Sequence, residues 1–382
     1  MPSFNKKFIL LDSTSPGRAK QESAVGGLFN MVNNKILPFL SNDIGIDLGT
    51  TNTLVYLRGK GIVINEPSVV AVNQKTGQVV DIGHGAKRML GRTPSHIIAI
   101  RPLVDGVISN FEVTEEMLSY LIKKTQDKVS KKILGPRVVV GVPSGITNVE
   151  RRAVQDATKN AGAREVYIVE EPIAAAMGIR LPIHDPFGSM IIDIGGGTSD
   201  MAILSMNGVV VSKNIKIAGD RFDNDIISYI RDEFKILIGE RTAENLKISI
   251  GSVIGGNSRL EKAVKGRDLI TGLPKEVIIT DSDIREALSH SISSFMESIK
   301  DVLEITPPEI LSDIMHRGIF LVGGGALLKD LDILLSNYLK IPIFIADDPL
   351  TAVARGTGVL FERLNDFDAI LIHDKDELPL QK

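Results

Sequence analysis

The sequence has no cysteine and no tryptophan among its 382 residues, and aromatics make up only 5%. Without cysteine there is no disulfide framework and no thiolate zinc site, which fits a reducing compartment. The six histidines, at 84, 96, 184, 290, 316 and 373, are scattered, and none has metal-ligand spacing. No apolar run approaches the roughly 20 residues of a membrane span. Lys6-Lys7 precedes Phe8-Ile9-Leu10-Leu11, but the turn-forming stretch Asp12 to Gly17 cuts that run short of the about 7–15 residues of a signal-peptide core. A cytoplasmic protein is therefore expected. The net charge of −3 gives no global attraction to nucleic acid. Neither a Gly-x-x-x-x-Gly-Lys-Ser/Thr loop nor a strand-linked Gly-x-Gly-x-x-Gly occurs, so P-loop and dinucleotide fingerprints are excluded.

What is present is a repeated turn. In Asn42-Asp43-Ile44-Gly45-Ile46-Asp47-Leu48-Gly49-Thr50-Thr51-Asn52-Thr53, the apolar residues 44, 46 and 48 form a buried strand, and Leu54 to Leu57 begin its return. Gly49 lets the backbone turn, and Thr50, Thr51 and Asn52 offer small polar groups beside freed backbone N–H groups, a cradle for phosphate oxygens. Asp47 at the strand end is placed to hold magnesium through its water shell. The second half repeats the pattern in Met190 to Leu204: apolar strand, Asp193, Gly195-Gly196-Gly197, Thr198-Ser199, returning strand. Two such hairpins can clamp a polyphosphate from both sides of a cleft, with Asp47 and Asp193 facing one magnesium ion.

The chain length allows about two domains, and a hydrophobic content of 43% supports sizeable cores. Strand and helix patterns alternate, giving an α/β chain of two similar halves. The expected boundaries are a disordered extension over 1–25, a short amphipathic helix over 26–41, and a first domain over 42–182 with a small insert near 73–106. A second domain over 183–349 carries an insert near 218–285, helix 350–365 returns to the first domain, and an acidic tail covers 366–382. Within the second half, helices are expected over Asp220–Leu237 and Leu327–Leu339, with an irregular insert after Ile250.

Several features carry two readings. Gly323-Gly324-Gly325 follows a buried strand and opens a helix: a structural turn, or a close approach for a flat base beside helix N–H groups. Glu171 sits where a carboxylate could orient an attacking water, and its neighbour Glu170 leaves open which of the two is a helix-start charge. Glu244 and Lys247 lie one helical turn apart, as an exposed ion pair or as nucleoside contacts. Leu28, Phe29, Val32 and Ile36 recur at helical spacing, either packing on their own domain or lying in a membrane interface. Ile133 and Leu134 sit on a basic loop, either tucked under a helix or inserting into lipid.

The Asp47 to Thr53, Asp193 to Thr198 and Gly323 to Leu328 motifs resemble the phosphate and adenosine motifs of the actin-like ATPase superfamily. Val140 to Ala153, Glu170 to Ala176, Ile217 to Asp220, Gly239 to Lys247 and Thr306 to Glu309 resemble, in order, segments of its MreB family of bacterial actin homologues. The resemblance covers about residues 42–365. It implies the actin-like fold: two duplicated RNase H-like domains with small inserted subdomains around a nucleotide cleft. It implies an ATP-dependent homopolymer of paired protofilaments beneath the inner membrane, with slow ATP hydrolysis, organising wall synthesis and rod shape with membrane-bound partners. Asp47 and Asp193 would position magnesium. Gly49, Thr50, Thr51, Asn52 and Gly195, Gly196 and Gly197 would hold phosphates, and Glu171 and Thr198 would orient the hydrolytic water. Glu244 and Lys247 would hold the nucleoside from one side, and Gly324, Gly325, Ala326 and Leu327 from the other. Family members bind membrane through an N-terminal amphipathic helix, an apolar loop or both, which implies lipid contact at residues 28–37 and 133–134. A chaperone-type ATPase and a small-molecule kinase are the alternatives on the same fold.

Overall fold

The computed structural model describes residues 42–128, 134–256, 260–362 and 371–373. The 1–25 and 26–41 segments, Ile133 and most of the 366–382 tail lie outside the described residues. The first half runs β1 (Asp43–Leu48), β2 (Asn52–Leu57), β3 (Gly61–Pro67), β4 (Val70–Asn73), β5 (Val79–Ile82), α1 (His84–Met89), β6 (Ile97–Ile100), β7 (Leu103–Val104), β8 (Val107–Ile108), α2 (Phe111–Asp127), β9 (Arg137–Val142), α3 (Asn148–Asn160), β10 (Glu165–Glu170) and α4 (Glu171–Gly178). The second runs β11 (Ser189–Ile194), β12 (Ser199–Ser205), β13 (Gly208–Ile215), α5 (Gly219–Phe234), β14 (Ile236–Leu237), α6 (Glu240–Ile250), β15 (Glu261–Asp268), β16 (Pro274–Thr280), α7 (Asp281–Glu304), α8 (Pro308–Arg317), β17 (Ile319–Val322), α9 (Leu331–Leu339) and β18 (Ile343–Ile345). Then come α10 (Ala352–Glu362) and the short β19 (Ile372–His373).

The duplication is visible in the sheets. The first has the order β19-β10-β9-β1-β2-β3 and the second β13-β12-β11-β17-β18. In each, a three-strand antiparallel meander is continued by two strands parallel to its first member. The central strands are buried on both faces, which is why β9 reads Val-Val-Val and β11 reads Met-Ile-Ile without alternation. Arg137 at the start of β9 donates two hydrogen bonds of 2.8 Å to the buried Asp43 carboxylate at the start of β1, fixing the register of the two parallel strands.

Each half carries a small sheet of its own, β5-β4-β6 in the first and β14-β15-β16 in the second. Helices α4 and α10 join the halves. They cross at backbone contact: a Cβ on Gly356 would sit 1.6 Å from the Ala174 carbonyl oxygen, and one on Gly178 would sit 1.9 Å from that of Ala352. Around this crossing Val139 and Ile173 of the first half share one core with Ile191 and Val322 of the second.

Three local expectations are corrected. The helix expected over Asp220–Leu237 ends at Phe234, because Lys235 adopts a left-handed conformation (φ 56°) and Ile236-Leu237 turn into an edge strand. The insert expected to be irregular contains strand β15, whose apolar positions are too few to announce it. The segment expected as one helix from Leu327 to Leu339 breaks at Asp330 (φ 66°), so Gly324–Leu327 form only a 3-10 turn and α9 starts at Leu331.

Candidate functional site

The two hairpin turns meet across a cleft. The first spans Gly49 to Thr51 between β1 and β2, and the second Gly195 to Thr198 between β11 and β12. A Cβ on Gly196 would lie 1.9 Å from the Thr51 hydroxyl oxygen, so only glycine lets the two turns approach this closely. The hydroxyl of Thr50 accepts a hydrogen bond of 2.9 Å from the Gly106 amide, tying the first insert to its own turn. Between the halves lies a cavity of about 490 Å³, a size that suits a nucleotide-like ligand.

Nearly every residue assigned from sequence to the nucleotide, the metal or the attacking water lines it. Asp47, Gly49, Thr50, Thr51, Asn52 and Glu171 come from the first half; Asp193, Gly195, Gly196, Gly197, Thr198, Glu244, Lys247, Gly324, Gly325 and Leu327 come from the second. The exception is Ala326. It is fully buried in the second-half core and does not line the cavity, because the 3-10 turn points it inward against that core.

The floor is acidic. Burial pushes the Asp47 carboxyl up to about 7. Burial, then repulsion from Asp47 and Asp200, holds Asp193 well above the carboxylate range. Glu171 is raised well above its usual value by burial, then by Asp200, Asp47 and Asp193. Carboxylates gathered this way favour a cation between them. Among the described residues no three potential ligands form a direct metal cage. Two strand-end carboxylates do fit magnesium, which keeps most of its waters and takes one or two protein carboxylates.

The ambiguous glutamates separate. Glu170 accepts a 3.0 Å hydrogen bond from the Ser144 hydroxyl, whereas Glu171 lines the cavity. Glu244 and Lys247 do not pair with each other. Lys247 Nζ lies 2.9 Å from Asp223 and donates to the Gly219 carbonyl at 3.0 Å, while Glu244 meets Lys87 of α1 at 3.3 Å across the mouth.

That last contact belongs to a set the sequence reading missed. Arg101 donates to Asp220 at 3.0 Å and to Glu240 at 2.8 Å, Lys216 meets Asp105 at 2.9 Å, and Thr51 donates to Asp220 at 3.5 Å. All join the first insert or turn to the second half, so opposite charges clasp the mouth of the cleft. Their partners lie about 110 to 170 residues apart, beyond the reach of local pattern. Ile248, Leu327 and Leu350 add an exposed apolar rim suited to a flat base. Leu134 is half-buried beside its loop.

Two duplicated α/β halves, each ending a central strand in an aspartate followed by a glycine and hydroxyl turn, define the actin-like fold around a phosphate-type cleft. A family model described as MreB/Mbl protein matches residues 41–369. Cell shape-determining protein MreB of Escherichia coli is 49% identical over 335 residues, 87% of this chain and 96% of that protein. Cell shape-determining protein Mbl of Bacillus cereus is 48% identical over 325 residues, 85% of this chain and 97% of that protein. MreB5 of Spiroplasma citri, solved bound to AMPPNP, superposes with a TM-score of 0.82 at 40% identity, covering 86% of this chain and 98% of that one. The chain therefore belongs to the MreB/Mbl family.

Proposed function

We propose that this protein is a nucleotide-dependent, actin-like cytoskeletal polymer that determines cell shape by organising wall synthesis, with ATP and magnesium held between its halves. The observation that carries the reading is the pair of matched hairpins closing on one acidic cleft. The names of its relatives as cell shape-determining proteins, and the AMPPNP and ADP bound to a related structure, support it.

In this reading Gly49 to Asn52 and Gly195 to Gly197 supply backbone donors to the phosphates. Asp47 and Asp193 hold magnesium through water. When bound, the metal supplies charge compensation at the phosphoryl oxygens. Glu171 and Thr198 orient the attacking water. Glu244, Lys247 and the apolar rim hold the nucleoside. Hydrolysis is slow and times the polymer. Its two domains are 42–182 completed by 350–365, and 183–349, with inserts near 73–106 and 218–285.

The filament associates with the inner face of the cell membrane through residues 28–37 and 133–134, and membrane-bound shape and wall-synthesis proteins are its partners. No helix among the described residues is long and apolar enough to cross a membrane. Two weak insertions per subunit, repeated along a polymer, give the avidity a single subunit lacks.

High-speed pelleting with and without ATP, combined with phosphate release in the absence of any acceptor, tests the reading. ATP-dependent pelleting and slow phosphate release are expected. A monomer that transfers phosphate to a sugar would make it a kinase instead.

A further inference from the structure

The two hairpins are alike, so a position where they differ in chemistry stands out. In the first, Asp47 pairs in register with Leu54; in the second, Asp193 pairs with Asp200. A buried apolar side chain is thus replaced by a buried carboxylate, only 1% exposed. A charge in that position, beside Asp193 and Glu171, costs stability unless its geometry is needed.

Its contacts show what the geometry does. One Asp200 oxygen accepts from the Asn214 side-chain amide of the adjacent strand β13 at 2.9 Å. The other accepts from the Ser144 backbone N–H at 2.7 Å, across from the second half to the first. Thr198 stands two residues before Asp200, where the turn enters β12. Ser144 follows the end of β9, is 3% exposed, and donates its hydroxyl to Glu170, the residue next to Glu171. A chain of hydrogen bonds therefore runs from Asp200 through Ser144 to Glu170. It begins two residues from Thr198 in the second half and ends one residue from Glu171 in the first. The donors bonded to Asp200 are neutral, so charge pairing does not explain the residue. Two short-reach acceptor oxygens do, because only a carboxylate accepts on both sides at once.

We propose that Asp200 is a positioning residue for hydrolysis: it pins Ser144 of the first half to the second half, fixing Glu171 relative to Thr198. The proposal rests on the hydrolytic reading above. Asp200 is placed behind the water-orienting groups, and its effect passes through Glu171.

The test is phosphate release and fluorescent ATP-analogue binding in the full chain, for wild type, Asp200→Asn, Asp200→Glu, Glu171→Gln and the Asp200→Asn/Glu171→Gln pair. Asp200→Asn is isosteric but turns one acceptor into a donor. It is expected to bind nucleotide within about threefold of wild type and to hydrolyse about 10- to 100-fold slower, the loss typical of a misplaced reacting group. Asp200→Glu, which keeps two acceptor oxygens, is expected to recover part of that rate. In the Glu171→Gln background the asparagine is expected to add less than about twofold, because both changes remove one function. Wild-type turnover in Asp200→Asn overturns the proposal, as does a full additional loss in the double variant, which would mark a merely structural role. If Asp200→Asn fails to fold, Ser144→Ala and Asn214→Ala replace it: each should slow hydrolysis several-fold with binding kept, and wild-type rates in both overturn the proposal. A wild-type chain that binds ATP and releases no phosphate overturns the hydrolytic reading itself, and this inference with it.

Discussion

At the scale of single residues the cleft trades stability for chemistry. Asp47, Asp193 and Glu171 carry raised pKa values because burial disfavours their ionised forms, with repulsion from neighbouring carboxylates adding to the rise of Asp193 and Glu171. An acid whose folded pKa lies above its unfolded value stabilises the fold only at low pH. For Asp47 that contribution is present below about 4 and lost as pH rises through about 7. Asp47→Asn is therefore expected to raise the melting temperature of the nucleotide-free protein at pH 7.5, by on the order of 1 kcal/mol in stability, and by less at pH 5. Thermal melts at the two pH values check this, and a lowered melting temperature at pH 7.5 would contradict it. The same carboxylate is expected to be needed once nucleotide and magnesium are added, so the variant should gain less stability from ATP than wild type. Glu171→Ala is expected to leave nucleotide affinity intact while slowing phosphate release by about 100-fold. Unchanged turnover would remove Glu171 from the mechanism.

At the scale of elements two devices bring the halves together. One is the α4–α10 crossing, where two glycines let the helix backbones touch. Gly356→Ala cannot be absorbed by moving a flexible side chain, since the neighbour is a backbone carbonyl. It is expected to destabilise the fold by about 3 kcal/mol, read as a shifted urea midpoint. The other is the clasp at the mouth. Arg101 reaches two carboxylates, and pairs of this partly exposed kind contribute up to about 1 kcal/mol. Arg101→Ala is expected to speed nucleotide release about fivefold at low salt, and much less at high salt, where the pairs are already screened. A chase experiment at two ionic strengths reads the difference; a salt-independent effect would argue against a clasp.

At the scale of the whole molecule, nucleotide and membrane contacts are proposed for the same half. The phosphate strand β1 begins at Asp43, directly after the segment 28–40. Removal of residues 1–40 together with Ile133→Ser and Leu134→Ser is expected to abolish co-sedimentation with anionic liposomes while leaving ATP-dependent pelleting in place. Unchanged liposome binding would sink the membrane assignment.

Local chemistry alone made much of this protein legible. Continuous apolar runs in β9 and β11 announced strands buried on both faces. The aspartate, glycine and hydroxyl turns announced the two loops that line one cleft, because the groups that define such a turn are neighbours along the chain. Their recurrence announced two halves. What sequence missed depends on distance or on a single dihedral angle. Lys235 and Asp330, in left-handed conformations, ended one helix and split another, and neither is a glycine that would mark the place. Ala326 sits inside the motif that reaches the cavity, yet the turn of the chain sends it into the core. Glu170 and Glu171 are equivalent in sequence, and only the Ser144 hydroxyl tells them apart. The clasp of Lys87, Arg101 and Lys216, and the bond between Asp200 and Ser144, join residues far apart in the chain. Pattern reads groups a few positions apart; the tertiary structure alone decides which distant carboxylate each cation or amide meets.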